Sequence, residues 1–360
     1  MVVKRKISIL LALIFSVAIF GGCSKISSAK TLKDKKVINI GIAQIIEHPA
    51  LDLAKKGFVD RLEEKGFKDG ENIKIDFQNA QGDMATIQTI TQNFVAQRND
   101  IIYAIATPSV QAAFNATKKI PIVMTAITDP VESGVVKSLD KSGTNVAGTS
   151  DKISIEENFK LIKEILPGKK TIGILYNTSE KNSEIQVRQA EEKAKKFGFK
   201  IVKKGITNVN DIHQSLASIL NQIDIMFIPT DNTVASSMPF ISNECNKKNI
   251  PIIGSEKAHV EGGALATSGI DYYKLGKESA DVAIEIINGK NPKDMKVKFM
   301  KETKLSINPE VAKKLNIKIP QDIEDKAEKI KGGKNNGYFI SSIRARIYIF
   351  HCLLWSIYNI

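Results

Sequence analysis

The sequence predicts an α/β protein of two similar, doubly wound parallel-sheet lobes joined by a three-strand hinge. One short phrase occurs twice, as KKIPIVMT over residues 118–125 and as KKNIPIIGS over 247–255. Each copy follows the same series. Apolar runs at 101–106 and 223–229 break at Thr107-Pro108-Ser109 and Thr230-Asp231-Asn232, and continue as VQAAF and TVASS. An apolar run of strand length, a polar break and a helix-like stretch form a βα unit. Two copies imply two lobes, with a cleft between the carboxyl ends of their sheets, where open α/β sheets bind ligands.

The elements follow in order. Residues 37–43 read as a first strand, and 50–65 as a helix with Leu51, Ala54, Phe58 and Leu62 on one face. Gly66 and the DGEN turn lead to a strand at 73–77. Asp83 caps a helix carrying Ile87, Ile90, Phe94 and Val95. A strand at 101–106, a helix from Ser109 and a strand at 122–126 follow, then a turn of helix after Asp129-Pro130. Residues 145–150 read as a crossover strand. The second lobe repeats the scheme, with helices at 155–165, 184–196, 211–220 and 234–247 and strands at 171–176, 200–204, 223–229 and 251–254. Residues 264–270 form a further apolar strand and 272–288 an amphipathic helix. The expected division puts 37–148 and 264–292 in lobe one, and 149–263 and 293–331 in lobe two, with three crossings as the hinge.

The amino terminus sets the location. Lys4, Arg5 and Lys6 precede an apolar stretch at 7–20, and Gly21, Gly22 and Cys23 end it. Residues 1–22 read as a secretory signal, too short for a spanning helix. Cys23 after two small residues resembles a bacterial lipobox, which implies cleavage before Cys23 and acylation of its thiol. Multiple acyl chains hold a protein on a membrane. Residues 23–36 are a polar tether, and the expected location is the outer face of the cell membrane.

The 360 residues suffice for two domains. Among three cysteines, only Cys245 falls in the body, so neither a disulfide framework nor a zinc spacing exists there. The formal charge is +13, or +10 without the three leader cations. The lysines are interleaved with acids, as in EEKAKKFGFK, which describes a solvated surface and no nucleic-acid groove.

The segments GIAQIIEHPALD, AIATPSVQAA, TAITDPVESG, GTSD, LYNTSEKNS, IPTDN and GGALATSGIDYYKLG, in that order, resemble the substrate-binding lipoproteins of ABC importers related to the tryptophan-binding type. The resemblance covers roughly residues 37–320. It implies the periplasmic-binding-protein type I fold and delivery of a free amino acid, most often tryptophan, tyrosine or phenylalanine, to a permease. It also implies a cytoplasmic ATPase as a separate chain, no cofactor and a monomeric body.

An amino acid needs three receptors. Its carboxylate suits a helix start with hydroxyls, which Thr107 and Ser109 offer, with Thr125 on the next strand. The plainer reading makes Thr107 and Ser109 N-caps. Its ammonium needs a carboxylate: Asp231 and Asp271 are the leading candidates, either of which also reads as a cap or hinge residue, and Glu47 is a third. Its side chain needs a slot, for which Tyr176 is placed, with Asn177, Glu180, Asn182 and Ser183 in a loop able to close over it. Gln44, Glu47 and His48 hold the matching position in lobe one, although His48 before Pro49 also suits a turn. Asp129 and Asn232, at two further strand ends, complete the set.

No P-loop, HExxH, GxSxG or GxGxxG is present, and four histidines show no metal-ligand spacing, so neither an enzyme nor a metal site is expected. The alternatives are another small solute (a branched-chain amino acid, a sugar or a nucleoside) in the same fold, or a surface adhesin or sensor. Residues 332–360 are an atypical tail: after GGKNNG the chain becomes apolar and aromatic, interrupted by Arg344 and Arg346.

Overall fold

The structure, a computed structural model, describes residues 32–300 and 302–331. The expected leader, Cys23, most of the tether and the tail from 332 lie outside those residues. Among the described residues no helix is long and apolar enough to cross a membrane.

The first lobe is built from β1 (Ile38–Gln44), α1 (Pro49–Glu64), β2 (Ile73–Asn79), α2 (Met84–Ala96), β3 (Ile101–Ile105), α3 (Thr107–Ala116), β4 (Ile122–Ile127) and β5 (Val146–Ser150). The second carries α4 (Ile155–Ile165), β6 (Thr171–Asn177), α5 (Lys181–Phe197), β7 (Lys200–Ile206), α6 (Ile212–Ile219), β8 (Ile225–Phe227), α7 (Asn232–Ser236), α8 (Met238–Lys247), β9 (Ile252–Gly254), α9 (Lys257–Glu261) and β10 (Ala266–Gly269). Then come α10 (Tyr272–Ile287), β11 (Lys298–Phe299), β12 (Lys304–Ile307), α11 (Pro309–Lys314), α12 (Gln321–Lys326) and β13 (Glu328–Lys329).

The first sheet runs β11-β5-β4-β3-β1-β2 and is parallel throughout. The second runs β13-β12-β10-β9-β8-β6-β7, with only the β10–β12 pair antiparallel. β3, β4 and β5 are buried at every position; β3 (IIYAI) and most of β4 (IVMTAI) read as apolar runs, as strands covered on both faces do, while β5 (VAGTS) ends in buried hydroxyls. The helical faces Leu51/Ala54/Phe58/Leu62 and Ile87/Ile90/Phe94 are buried against the first sheet.

The chain crosses between the lobes after β5, after β10 and after β11. Two stretches lie elsewhere than expected. β10, assigned to lobe one, pairs with β9 and β12 in the second sheet. Only α9 and a turn separate it from β9, and so short a link leaves a strand beside its predecessor. β11, assigned to lobe two, pairs with β5 in the first sheet. The segment before it is tied to the first lobe by Ser142 N–H to Met295 O at 2.9 Å and Val297 N–H to Leu139 O at 2.8 Å.

α10 returns to the first lobe and packs on α1. Two glycines allow it: a Cβ on Gly276 would stand 2.0 Å from Ala54 O, and one on Gly57 2.0 Å from Tyr273 O. Two helices also differ from expectation. The stretch after Asp129-Pro130 is a turn, because the Asp129 carboxylate accepts the N–H groups of Val131 and Glu132 at 3.2 and 3.0 Å. The helix expected at 234–247 is split at Ser237, where Pro239, in the first turn of α8, has no N–H to carry the ladder through. Cys245 is buried in the second lobe's core, and burial pushes its thiol up to about 12.

Candidate ligand-binding cleft

Strand carboxyl ends from both sheets face one another across the cleft. On the first lobe, β3 turns into α3 through Ala106, whose φ is 75°, and β4 ends beside Ala126, whose φ is 53°. Two alanines held in left-handed backbone at neighbouring strand ends store strain at one place, as ligand sites commonly do. Behind Ala106, Thr107 Oγ1 and Ser109 Oγ are buried and have no hydrogen-bond partner among the described residues. Neither hydroxyl caps α3. Thr125, expected beside them, bonds Thr149 Oγ1 at 3.0 Å, and Asp129 lies in its turn, 3.5 Å from Lys152. Gln44 holds the α1 entry through Nε2, donating to Ile46 O and Asp52 Oδ1 at 2.9 Å each, and its Oε1 is buried without a partner.

The second lobe presents a polar network built on two buried carboxylates. Asp231 accepts Val234 N–H at 2.8 Å on one oxygen, and Asn177 N–H at 2.5 Å and Ser183 Oγ at 2.7 Å on the other. Glu180 accepts Thr233 N–H and Oγ1 at 3.0 and 2.9 Å, Asn232 N–H at 3.1 Å and the Asn232 amide. Burial, then the Glu180 charge, lifts the Asp231 carboxyl to about 7. Both acids are therefore committed within the lobe: they shape the loops after β6 and β8. Asn177 belongs to the same web, donating to Thr233 Oγ1 at 2.8 Å. Asn182 donates to Thr230 O at 2.8 Å and keeps a buried Oδ1 without a partner. Tyr176 is half-buried at the β6–β7 edge, paired with Gly205, and does not line the enclosed space described next.

At the hinge the structure gathers residues that the sequence reading passed over. Asp151, just past β5, accepts the Tyr272 hydroxyl at 2.8 Å. Burial raises its carboxyl to about 6 against that hydrogen bond. Glu256, just past β9, is 2% exposed. His48, from lobe one, crosses to Asn232 Oδ1 at 3.4 Å and stands 3.9 Å from Glu256. Asp271 caps α10 through Lys274 N–H at 3.1 Å, and Glu47 is exposed. His48, Ala126, Asp151, Thr230, Glu256 and Tyr272 line a small space of about 10 Å³, the size of one water. A larger, open groove of about 1340 Å³ starts on the far side of His48 and Glu256. Of the residues with unpartnered buried atoms, His48, Asp151 and Glu256 line the smaller space, whereas Gln44, Thr107, Ser109 and Asn182 do not.

Cross-lobe contacts show the lobes closed. Thr128 Oγ1 meets Thr230 Oγ1 at 3.2 Å, and Gln186 Nε2 donates to Thr128 Oγ1 at 3.2 Å. At the rim, Arg188 Nη2 contacts both Glu132 oxygens at 2.7 Å.

The sequence held a signal for the missed residues. Asp151 ends GTSD, Thr230 lies in IPTDN and Tyr272 in IDYYKLG, all segments of the resemblance, while Glu256 directly follows the second copy of the repeated phrase.

Comparison with known proteins agrees with this architecture. The family model for ABC transporter substrate binding proteins matches residues 39–331. A tyrosine-binding protein of Clostridioides difficile is 49% identical over 320 residues, covering 87% of this chain and 93% of that protein. The crystal structure of an ABC domain from Streptococcus pneumonia in complex with L-Trp is 37% identical, with a TM-score of 0.79, over 81% of this chain and 99% of that one. The ligand-free, open structure of a substrate binding protein with adhesive properties from Clostridium difficile is 49% identical, with a TM-score of 0.63, over 82% of this chain and 100% of that one. The open structure superposes less well despite its higher identity, in keeping with the closed lobes here. The expected two-lobed type I fold is borne out, and more distant solute-binding proteins share it.

Proposed function

We propose that this chain, which belongs to the family of ABC transporter substrate-binding proteins, captures a free amino acid with an aromatic side chain between its lobes and hands it to a permease. One observation carries the reading: Thr107 Oγ1 and Ser109 Oγ where β3 turns into α3, Asn182 Oδ1 in the first turn of α5 after β6 and Asp151 Oδ1 just past β5 are buried near strand carboxyl ends without partners among the described residues. Buried polar groups are almost always hydrogen-bonded, so a polar guest is the natural partner for such a set. The relatives that bind tyrosine and L-Trp support the aromatic class.

The ligand carboxylate takes the start of α3, where the helix dipole, Thr107 and Ser109 favour an anion. Its ammonium takes the acidic hinge side, at Asp151 and Glu256. Bridging both lobes, the ligand stabilises the closed form that the permease recognises. A permease and a cytoplasmic ATPase are separate chains. The Cys23 anchor keeps the receptor at the outer membrane face, and the chain carries no reaction of its own. The relative with adhesive properties supports surface adhesion as a second role.

Calorimetric titration of the purified protein with L-tryptophan, L-tyrosine and L-phenylalanine tests this, with L-leucine and ribose as controls. The expected result is saturable one-to-one binding of aromatic amino acids only. Thr107→Ala and Ser109→Ala are each expected to weaken binding by about 10-fold, the loss of one charge-assisted hydrogen bond. Binding of leucine or ribose in preference to all three would overturn the aromatic assignment.

A further inference from the structure

The open groove of about 1340 Å³ beyond His48 and Glu256 is apolar and acidic, and no described segment covers it. Its walls come from the entry to α1, the segment before α6, the α7–α8 junction, α9 and the start of α11. Val209 and Phe240 line it while 44% and 38% exposed, and the Phe240 ring lies 5.8 Å from that of His213. Contiguous exposed apolar surface of this kind marks a place where another surface sits. Glu47, Glu261 and Glu310 stand on the walls without an ion pair among the described residues, and Lys314 is the single lysine there. Lys257, one turn before Glu261, is taken by Glu328 at 2.6 Å.

The chain itself leads a cover to this place. β13 lies beside β12, with Ser306 opposite Glu328 and Ile307 opposite Lys329, and Ile330 N–H donates to Ile307 O at 2.8 Å. Asn308, the next residue along β12's exit, is on the groove wall. Ile330 is buried in one core with Val260 of α9 and with Ala264, and the Lys257–Glu328 pair ties β13 to α9 a second time. Lys331, the last described residue, therefore leaves the body beside α9 and the start of α11, two of the groove's walls. The sequence GGKNNG at 332–337 follows, enough for about 20 Å of extended chain. Residues 338–360 are apolar and aromatic, contain no Asp or Glu, and carry Arg344 and Arg346. The family model ends at residue 331, so this segment lies outside what it describes.

We propose that the groove is the docking site of residues 338–360 of the same chain, with Arg344 and Arg346 against its unpaired acids. The two surfaces match twice over. Apolar side chains on each leave water together, which supplies the drive. A guanidinium suits a carboxylate through paired N–H groups, and both arginines come from a segment that has no acid of its own. Attachment to Lys331 makes the encounter intramolecular, at an effective concentration on the order of millimolar, and this favours the chain's own segment over a second copy. Glu47, His48, Pro49 and Asp52 belong to the first lobe, and the remaining walls to the second. Seated between them, the segment braces the closed form. The assignment is independent of which solute the cleft takes.

The test is disulfide trapping in the full chain, using Cys352 of the segment itself. Cys23→Ser leaves Cys352 as the reactive thiol, because Cys245 is buried and its thiol pushed up to about 12. Into this background go Phe240→Cys, in the groove, or Phe77→Cys, on the edge strand β2 of the other lobe. The two positions are equally exposed, at 38% and 39%. An undocked segment reaches both, since the 21 residues from Lys331 to Cys352 span up to about 70 Å. Under mild oxidation, Phe240→Cys is expected to join Cys352 within one chain at least about 10-fold faster than Phe77→Cys does, read by non-reducing electrophoresis and mass spectrometry of the linked peptides. Arg344→Glu with Arg346→Glu is expected to slow the Phe240→Cys reaction at least about 3-fold. Equal rates at the two positions overturn the docking site. Disulfides formed mainly between chains overturn it in favour of a second copy. An unchanged rate in the charge-reversed chain overturns the pairing of the arginines with the acidic wall. Should Phe240→Cys fail to fold, Val209→Cys on the same groove decides in its place.

Discussion

Asp231 and Asp151 are both buried carboxylates at strand ends, and their neighbours give them opposite roles. Asp231 has a protein donor on each oxygen, while Asp151 has one on Oδ2 alone. Burial and the Glu180 charge raise the Asp231 carboxyl too, so Asp231→Asn relieves a buried charge; it is still expected to lower the denaturation midpoint, because the amide nitrogen must then face the N–H of Val234 or of Asn177. Asp151→Asn should behave in reverse. Its folded-state pKa, about 6, lies above the unfolded value, so the ionised side chain burdens the ligand-free fold above pH 6 and ceases to do so below pH 4. The neutral amide is expected to stabilise the ligand-free protein by about 2 kcal/mol at pH 7.5, with no gain at pH 4, while weakening ligand binding by more than about 10-fold. Thermal denaturation at the two pH values, alongside calorimetry, measures both effects. The sequence reading named Asp231 and passed over Asp151, although both are acids at strand ends; only their donors distinguish them.

Among the elements, α1 and α10 were legible from the period of their apolar faces, and their mutual contact was not. That contact rests on the absence of two side chains, at Gly57 and Gly276. Gly276→Ala places a methyl against the Ala54 carbonyl, within an interface that has no slack. The expected cost is about 3 kcal/mol, measured by denaturant titration, with larger residues worse. α3 offers a second case. Thr-Pro-Ser reads as an ordinary helix start, yet Ala106 enters it with φ 75° and the two hydroxyls remain uncapped. A tripeptide can announce a helix start without saying whether its hydroxyls face their own backbone or a cleft.

Over the whole molecule, closure depends on interior contacts more than on the rim. The Thr128–Thr230–Gln186 bonds are buried, whereas Arg188 and Glu132 are 48% and 35% exposed at the side chain. Exposed ion pairs contribute little and are screened by salt. Arg188→Ala is therefore expected to weaken ligand affinity by no more than about 3-fold and to reduce its salt dependence, as followed by titration at 20 and 500 mM salt, concentrations set on the order of a long and a short Debye length. A loss of 100-fold would make the rim pair the latch.

The sequence by itself determined the two-lobed α/β plan, most element positions and the repeated βα unit. Those properties are local: apolar period, break residues and repeat spacing act over a dozen residues or fewer. The tertiary structure decided the rest. It placed Ala266–Gly269 in the second sheet and Lys298–Phe299 in the first, because strand pairing is chosen among distant partners. It also brought His48, Asp151 and Glu256 around one space. No periodicity links three residues a hundred positions apart; their shared burial singles them out, and burial exists only once both lobes and the hinge are folded together.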